Sequence, residues 1–577
     1  MVRHQQQSKT TSSMSPQRQG LPTPTPMVYP TEMAALTNSG QLDDVTCPTG
    51  TTSKITGTQA QLHEGKTGDV TGHAGISTAQ QAKVSAQAMK RAQKFVGKSQ
   101  QNTHKLDIHA KHSSWLMRMI ARVISTPSPR MKLHKARFEN TAEAAVHNAR
   151  WLKHYQWDLP RALIRQKGTI MEPGSEFRDW ETLEPLWVAH RHWPKMKEII
   201  SKGVNYPLDP ITEEERQADL EHMILRGNHK SAQVPVENAA TLLSNYEKEV
   251  ENGWMLPIPS RCLSKLKGAA VIPVGVHTQY TINECGERKV KRRTTHDASF
   301  APPSNKSVNE RMQRDLLTEC FYGYCLLRIL HAIHAMRISH PLICILLIKI
   351  DLDAAYRRLH VTAKMALLTI TIIKKIAYIL LRLPFGVANG PNDYSLISEP
   401  LFDLTNEILR DPSYDPSLLH SPIQEQLQDK DISYTSSTPF GTARPLFVNV
   451  PFHFATADGY IDDIITVVLD TADWLRRAIN AAPLAIHTLF RPVDCRDPLP
   501  RAESVSERKL KGEGTPAEVK NVLGWKVDTR LFRIFLPTEK SIDWSMKIEH
   551  MLLEETVSTQ SLEKTIGRLN HAGHIIP

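Results

Sequence analysis

The residues best suited to chemistry are two adjacent aspartates, Asp462 and Asp463, in the tetrapeptide Tyr460-Ile461-Asp462-Asp463. The flanking stretches, 448–454 and 464–469, are rich in β-branched and aromatic residues, which favours two strands joined by a tight turn. Neighbouring side chains of a regular strand point to opposite faces, so both aspartates can serve one site only where the backbone turns. The sequence therefore predicts a hairpin with two carboxylates at its tip; the alternative is an ordinary polar turn.

A third carboxylate, Asp351, follows the longest apolar run of the chain, residues 341–348. That run is far too short to span a bilayer, and its Ile and Leu content predicts a buried strand. Asp353 is a rival candidate, but strand alternation favours Asp351, because the chain is expected to turn by Asp353. Carboxylates brought together from two strands would hold two Mg²⁺ ions, which can clamp the attacking and leaving oxygens of a phosphoryl transfer.

Three segments in the correct order resemble the central motifs of reverse transcriptases of retrotransposon type. Asp351 followed by Tyr356 resembles motif A, and residues 383–391 (LPFGVANGP) look like motif B. The tetrapeptide ending at Asp463 resembles motif C, and its distance from Asp351 is acceptable if 411–446 is an inserted loop. Each motif is weak alone, but their shared order is specific.

Flanking segments extend the resemblance to about half of the chain. Residues 293–299, with Asn309 downstream, are similar to the fingers motif that precedes motif A. Residues 523–525 and 534–540 resemble the palm-to-thumb junction, and 567–577 resemble the thumb of DIRS-type and related retroelement polymerases.

The resemblance implies an RNA-directed DNA polymerase and assigns roles to particular residues. The catalytic and metal-binding residues would be Asp351, Asp462 and Asp463, with Mg²⁺ or Mn²⁺ as cofactor. The nucleotide-binding residues would be Arg293 and Lys289 at the triphosphate, Tyr356 beneath the sugar, and Phe385 and Gly386 beside the base. The primer or template contacts would be Tyr460, Leu523, Gly524 and Trp525. An ordinary core role is the alternative for Tyr356 and Trp525.

The expected fold class is α+β, in the form of a right-hand polymerase with fingers, an antiparallel-sheet palm and a partial helical thumb. We expect a low-complexity basic arm, mostly disordered, over 1–140, a helical region over 141–255, fingers over 256–340, a palm over 341–537 with an inserted loop at about 411–446, and a partial thumb over 538–577.

The positive charge of the chain is concentrated in the arm. The formal net charge is +11, and residues 1–140 alone hold 18 Lys and Arg against 7 Asp and Glu, so the remaining chain is formally neutral. A basic arm indicates a polyanionic partner, the alternative being a solvated tail. Within it, residues 115–124 predict a basic amphipathic helix that could meet RNA, a membrane surface or the body of the protein.

The implied partners are an RNA template, a DNA primer and deoxynucleoside triphosphates, without a membrane; the oligomeric state stays open. Seven cysteines without paired spacing, and a polar start without a signal peptide, predict an intracellular protein of the cytoplasm or nucleus. Two other functions remain open, a catalytically decayed or domesticated palm that binds nucleic acid and an RNA-directed RNA polymerase. The end at Pro577, where related elements continue into an RNase H domain, favours the decayed palm.

Overall fold

The segments that carry the candidate carboxylates form neighbouring strands of one antiparallel sheet in the computed structural model of the protein. The structure describes residues 114–126, 140–282, 288–320, 322–426, 453–493, 501–554 and 556–573. Most of the predicted basic arm, and the part of the predicted inserted loop beyond residue 426, therefore lie outside the described residues.

The helices of the described ranges are α1 (Trp115–Ser125), α2 (Thr141–His154), α3 (Leu159–Ile164), α4 (Trp180–Trp187), α5 (Trp193–Lys202), α6 (Glu213–Arg226), α7 (Val236–Glu251), α8 (Cys325–Ser339), α9 (Ala363–Ala366), α10 (Gly390–Arg410), α11 (Ala472–Leu489), α12 (Glu507–Glu513), α13 (Thr538–Leu553) and α14 (Thr559–Gly573). The strands are β1 (Met255–Pro259), β2 (Val274–Ile282), β3 (Arg288–His296), β4 (Ile345–Asp351), β5 (Thr371–Ile373), β6 (Ile376–Leu380), β7 (Ala455–Tyr460), β8 (Asp463–Leu469), β9 (Val519–Val522), β10 (Trp525–Asp528) and β11 (Arg533–Phe535).

These strands form small antiparallel sheets in the orders β1-β6-β5, β2-β3, β4-β8-β7 and β11-β10-β9. The β2-β3 hairpin pairs Val274 with His296 at one end and Ile282 with Arg288 at the other. In the β4-β8-β7 sheet, the middle strand β8 begins at Asp463. It pairs on one side with β4, which ends at Asp351, and on the other with β7, which ends at Tyr460. The fold is therefore a mixture of helices and small antiparallel sheets, in agreement with the α+β class.

The β4-β8-β7 sheet is buried on both faces. Leu346 and Ile348 of β4 join the main hydrophobic core with α10 and α11, whereas Ile345 and Leu347 join a second core with α8, β9 and β10. A strand covered on both faces is apolar at successive positions rather than at alternate ones. This burial explains the apolar run and confirms the predicted strand, displaced by a few residues to Ile345–Asp351.

The basic amphipathic segment forms helix α1 and packs on the body of the protein. The Ser114 hydroxyl caps the helix by accepting a hydrogen bond from the Met117 amide, over 3.2 Å. Met117, Ile120 and Val123, spaced three apart along one face, are buried in the main core. Of the three partners left open for this helix, the body is the one that it contacts.

The strand expected ahead of the aspartate pair begins later than the sequence indicates. Residues 448–452 lie outside the described part of the chain, and β7 starts only at Ala455. Phe454, expected within the strand, instead stacks its ring on Trp474, with centroids 5.1 Å apart. Its carbonyl still accepts a hydrogen bond from the Leu469 amide over 3.0 Å, so Phe454 continues the β7–β8 pairing by one residue beyond the strand. No helix among the described residues has the length and hydropathy needed to cross a membrane.

Candidate active site

Asp351 and Asp463 are directly opposite each other in the register of β4 and β8. The Leu352 amide donates to the Asp462 carbonyl over 3.0 Å, so the neighbouring Asp351–Asp463 pair is of the non-hydrogen-bonded kind, in which side chains approach most closely. Ile461 and Asp462 form the two-residue turn between β7 and β8, and Ile461 has φ +57°. A β-branched residue rarely adopts this conformation, and such backbone strain is typical of functional sites.

The neighbouring carboxylates raise the pKa of Asp351 and of Asp462. Burial and a hydrogen bond with Asp463 raise the pKa of Asp351, as does the charge of Asp462, while Lys509 acts in the opposite direction. Burial and the charge of Asp463 raise the pKa of Asp462. Carboxylates that oppose one another's ionisation make a site that a bound cation would stabilise.

Two lysines, which the sequence did not single out, neutralise part of this charge. Lys509 on α12 forms an ion pair with Asp351. The Nζ atom of Lys349 lies 3.1 Å from Oδ2 of Asp463 and 2.9 Å from Oε2 of Glu513. Strand alternation could have found Lys349, because it precedes Asp351 by two residues and shares its face. Nothing in the pattern of residues 507–513 indicated that α12 would reach the site.

The donor set suits a divalent cation in its chemistry. Within the part of the chain that the structure describes, no group of three or more His, Cys, Asp or Glu side chains is arranged to hold a metal ion. The carboxylates of Asp351, Asp462 and Asp463 are nevertheless hard oxygen ligands of the kind that Mg²⁺ prefers. Lysine ammonium groups already pair with Asp351 and Asp463, so a divalent cation would have to compete with them for these carboxylates.

Asp353 makes contacts different from those of Asp351. Its amide donates to the Ser504 carbonyl over 2.9 Å, and its half-exposed carboxylate is 3.7 Å from Arg358. The chain has left the strand at Asp353, as strand alternation predicts, and Asp351 is the residue that faces Asp463.

Tyr356 lies in a short 3-10 helix, Ala355–Arg358, directly after β4. Its buried ring packs against Phe385 and Tyr394, with centroids 5.1 and 5.3 Å away. Burial raises the pKa of Tyr356, and the charge of Asp462 adds to this effect, which puts the phenol near the carboxylate hairpin. The structure thus brings the rings of Tyr356 and Phe385 together, with Tyr356 within electrostatic range of Asp462.

Gly386 holds the segment after Phe385 against the end of β3. Its φ is +107°, and a Cβ atom there would collide with the His296 carbonyl oxygen. The Asn309 side chain fixes the same loop, since its Nδ2 donates to the Gly386 carbonyl and its Oδ1 accepts from the Ala388 amide, both over 2.8 Å. Glycine is required here because other residues disfavour this φ and have no space for Cβ. The motif around 293–299 and the one around 383–391 are therefore in direct contact.

The basic strand β3 presents alternate residues to opposite sides. Arg292 donates to Asn238 of α7 over 3.0 Å, so its side of the hairpin is covered by a helix. Lys289, Lys291 and Arg293 are on the other side. Burial and the charge of Arg293 lower the pKa of Lys291, Lys509 and Arg508 lower it further, and Asp351 acts in the opposite direction. Lys291, on the same side of β3 as Arg293, is therefore within electrostatic range of Asp351.

The four predicted primer or template contacts lie in different surroundings: two form a turn, one is partly exposed and one is buried in the core. Leu523 and Gly524 form the two-residue turn between β9 and β10, with φ +48° and +86°. Tyr460 is partly exposed and packs 5.7 Å from the Tyr322 ring. Trp525, in contrast, is wholly buried in the second core. We correct its predicted role, because a side chain without exposed surface cannot contact a primer strand; it anchors the turn instead.

Comparison with known proteins gives structural neighbours but no sequence relatives. No protein-family model matches the chain, and no curated protein matches it. Among solved structures it is similar to the foamy viral protease-reverse transcriptase dRH in complex with double-stranded DNA, at 12% identity and a TM-score of 0.31. That alignment covers 65% of this chain and 44% of the viral one.

Two further neighbours are foamy virus structures. The foamy viral protease-reverse transcriptase in complex with an RNA/DNA hybrid shares 11% identity, covering 72% of this chain and 40% of that chain, with a TM-score of 0.31. The native prototype foamy virus protease-reverse transcriptase shares 11% identity, with a TM-score of 0.29. That alignment covers 70% of this chain and 42% of the viral one. This chain spans about half the length of these neighbours or less. The structural similarity is weak, and we base the functional proposal on the site.

Proposed function

We propose that the protein is a nucleotidyltransferase, an RNA-directed DNA polymerase of a retroelement. The observation that carries this proposal is the placement of Asp351 opposite Asp463 on paired strands, with Asp462 in the adjoining turn. Such a cluster can assist the attack of a primer hydroxyl on the α-phosphorus of a nucleotide, where catalysis consists mainly of positioning and charge neutralisation. In this proposal, residues 256–340 act as fingers, 341–537 as palm and 538–577 as a partial thumb.

The residues proposed to hold Mg²⁺ or Mn²⁺ are Asp351, Asp462 and Asp463. When bound, the metal would supply charge neutralisation for the reacting phosphate and the leaving pyrophosphate. Arg293 and Lys291, on one side of β3, would attract the triphosphate; the guanidinium of Arg293 can grip phosphate oxygens with two hydrogen bonds. Lys289, on the same side of β3, is an alternate for this contact.

The remaining contacts follow from the loops around the carboxylates. Tyr356 would lie beneath the sugar, with Phe385 and Gly386 forming the floor beside it. Leu523 and Gly524, in their partly buried turn, and Tyr460 are the proposed contacts to primer or template. An RNA template, a DNA primer and deoxynucleotides are then the partners, and an intracellular location, in the cytoplasm or nucleus, is part of the same proposal.

A primer-extension assay on poly(A)·oligo(dT) with dTTP and Mg²⁺ tests the proposal. We expect template-dependent extension that Asp462→Asn reduces by about a thousandfold or more, because the change removes metal-binding charge. Asp353→Asn is the matched control, since Asp353 is nearby in sequence but faces Ser504 and Arg358, and should keep activity within about threefold. Extension that survives Asp462→Asn would refute the assignment.

One observation favours a second function, a palm that binds nucleic acid without catalysis. Lys349 and Lys509 already engage two of the three carboxylates, so part of the negative charge of the site is neutralised without a metal. Nucleic-acid binding by a folded wild-type protein that extends no primer, with either dTTP or ribonucleotides, would support this function.

A further inference from the structure

The ammonium group of Lys349 is enclosed between the carboxylates of two different elements. It is 3.1 Å from Asp463 on β8 and 2.9 Å from Glu513 on α12, and only 14% of its side chain is exposed. Burial acts to lower the pKa of Lys349, but Asp463 and Glu513 together raise it above its ordinary value. A lysine in such a position costs desolvation that only well-placed partners repay, so both contacts matter to its placement.

Two ion pairs connect β4 and α12, and each element contributes the lysine to one pair and the carboxylate to the other. Lys509 of α12 pairs with Asp351 of β4, while Lys349 of β4 pairs with Glu513 of α12. The Ser506 amide, just before the helix, also donates to the Asp351 carbonyl over 2.9 Å. A seven-residue helix has little stability of its own, so these contacts determine where α12 lies.

We propose that Lys349 is a positioning residue of the nucleotidyl-transfer site, which holds the Asp463 carboxylate on the shared strand face and fixes α12 beside Asp351 through Glu513. This inference rests on the proposed function for its kinetic consequences, but its effect on the carboxylates is independent of catalysis. Lys349 touches no substrate and acts through Asp463 and Glu513.

The position of Lys349 predicts two effects of opposite sign. Its positive charge competes with a divalent cation for the carboxylates, so removing it should strengthen metal binding. The same removal frees Asp463 and α12, so the productive arrangement is lost and turnover should fall. Tighter metal binding combined with slower turnover is not expected from a variant that is merely less well folded.

The test compares Lys349→Met, Lys349→Arg and Glu513→Gln in the full chain. Mn²⁺ binding to the free protein is measured by electron paramagnetic resonance, and primer extension is measured as kcat and as KM for dTTP. For Lys349→Met we expect about threefold to tenfold tighter Mn²⁺ binding, at least about a tenfold lower kcat and little change in KM. Lys349→Arg, which keeps the charge, should stay within about threefold of wild type in both measurements.

The partner variant separates the two contacts of Lys349. Glu513→Gln should lower kcat by about threefold, and adding it to Lys349→Met should cause no further loss, because Glu513 acts through Lys349. Lys511→Met is the matched control: Lys511 is on the same helix, is mostly exposed, and pairs only loosely with Glu507 at 3.9 Å. It should leave both measurements unchanged.

The outcomes separate this inference from the proposed function. A wild-type protein that extends no primer refutes the polymerase, while the Mn²⁺ measurement still tests Lys349. If Lys349→Met binds Mn²⁺ no more tightly than Lys511→Met does, the positioning role is wrong. It is also wrong if Lys349→Arg lowers kcat as much as Lys349→Met does. The same holds if the loss of kcat in the double variant equals the full sum of the Glu513→Gln and Lys349→Met losses. Should Lys349→Met fail to fold by circular dichroism, Lys349→Arg and Glu513→Gln decide the result by the same criteria.

Discussion

Gly386 lies against the carbonyl oxygen of His296 so closely that no side chain fits between them. Because Gly386 also has a positive φ, both the space and the backbone conformation exclude a larger residue. The contact joins the loop that carries Phe385 to the end of β3, on the strand that carries Arg293. Two segments about ninety residues apart in sequence are thereby fixed beside each other at the candidate nucleotide site.

Replacing Gly386 with Ala should displace this loop. We expect KM for dTTP to rise by about tenfold or more, since Phe385 and Tyr356 would lose their packing, with a loss of stability on the order of 1–3 kcal/mol. Steady-state primer extension and urea denaturation measure the two effects. Gly323→Ala is the control, because a Cβ at Gly323 meets open space. A Gly386→Ala protein with wild-type KM would contradict the positioning role of the loop.

Tyr356 should determine the choice between deoxynucleotides and ribonucleotides. Its ring is held rigidly by Phe385 and Tyr394, and rejection of one extra hydroxyl requires a rigid side chain in contact with the sugar. Tyr356→Ala should lower the preference for dTTP over UTP by about tenfold or more, as measured by the ratio of kcat/KM values. Tyr356→Phe keeps the ring and should keep the preference. Equal losses with both nucleotides would show that Tyr356 only packs.

Glu176 should make folding stability depend on acidic pH. Burial tends to raise its pKa, but Arg382, Arg358 and Arg501 lower it from 4.5 to about 2. The Arg358 and Arg382 nitrogens lie 3.0 and 3.4 Å from the carboxylate. A folded-state pKa below the unfolded value adds stability above pH 4.5, and this stability is lost as the pH falls towards 2.

The corresponding variant is Glu176→Gln. At pH 7 it should lower the free energy of unfolding by roughly 3 kcal/mol, the linkage value of the lowered pKa, and the difference should shrink by about half at pH 3. Urea denaturation at the two pH values measures this change. The exposed Glu214 supplies the control, since Glu214→Gln should cost less than about 0.5 kcal/mol at either pH. A Glu176→Gln deficit that is the same at both pH values would contradict the linkage.

The basic arm should add affinity for nucleic acid without sequence preference. The truncation must end at residue 113, because α1 packs on the body through Met117, Ile120 and Val123. Residues 1–113 contain twelve Lys and Arg against six Asp and Glu. Removing them should reduce the dependence of the binding constant on salt, as fewer counterions are released, and leave Mn²⁺ binding unchanged. Equal salt slopes would show that the arm is a solvated tail.

Much of the candidate site could be predicted from local sequence. The apolar run before Asp351 and the β-branched run after Asp463 specify strands, and the alternation of side chains favours Asp351 over Asp353. The same pattern predicts the hairpin, but it put both aspartates at the tip, whereas only Asp462 lies in the turn and Asp463 begins β8. These features depend on residues adjacent in the chain, whose preferences act over a few positions and are therefore visible in the sequence.

The tertiary structure decided which distant segments meet. Lys509 reaches Asp351 from 158 residues away, and no local pattern marks α12 as part of the site. The local sequence around Trp525 does not indicate whether its side chain contacts a primer or lies in the core. Its burial results from packing against α8 and β4. Burial and ion pairing depend on the whole arrangement of elements, because the free energy of each contact is set by the groups that surround it rather than by its neighbours in the chain.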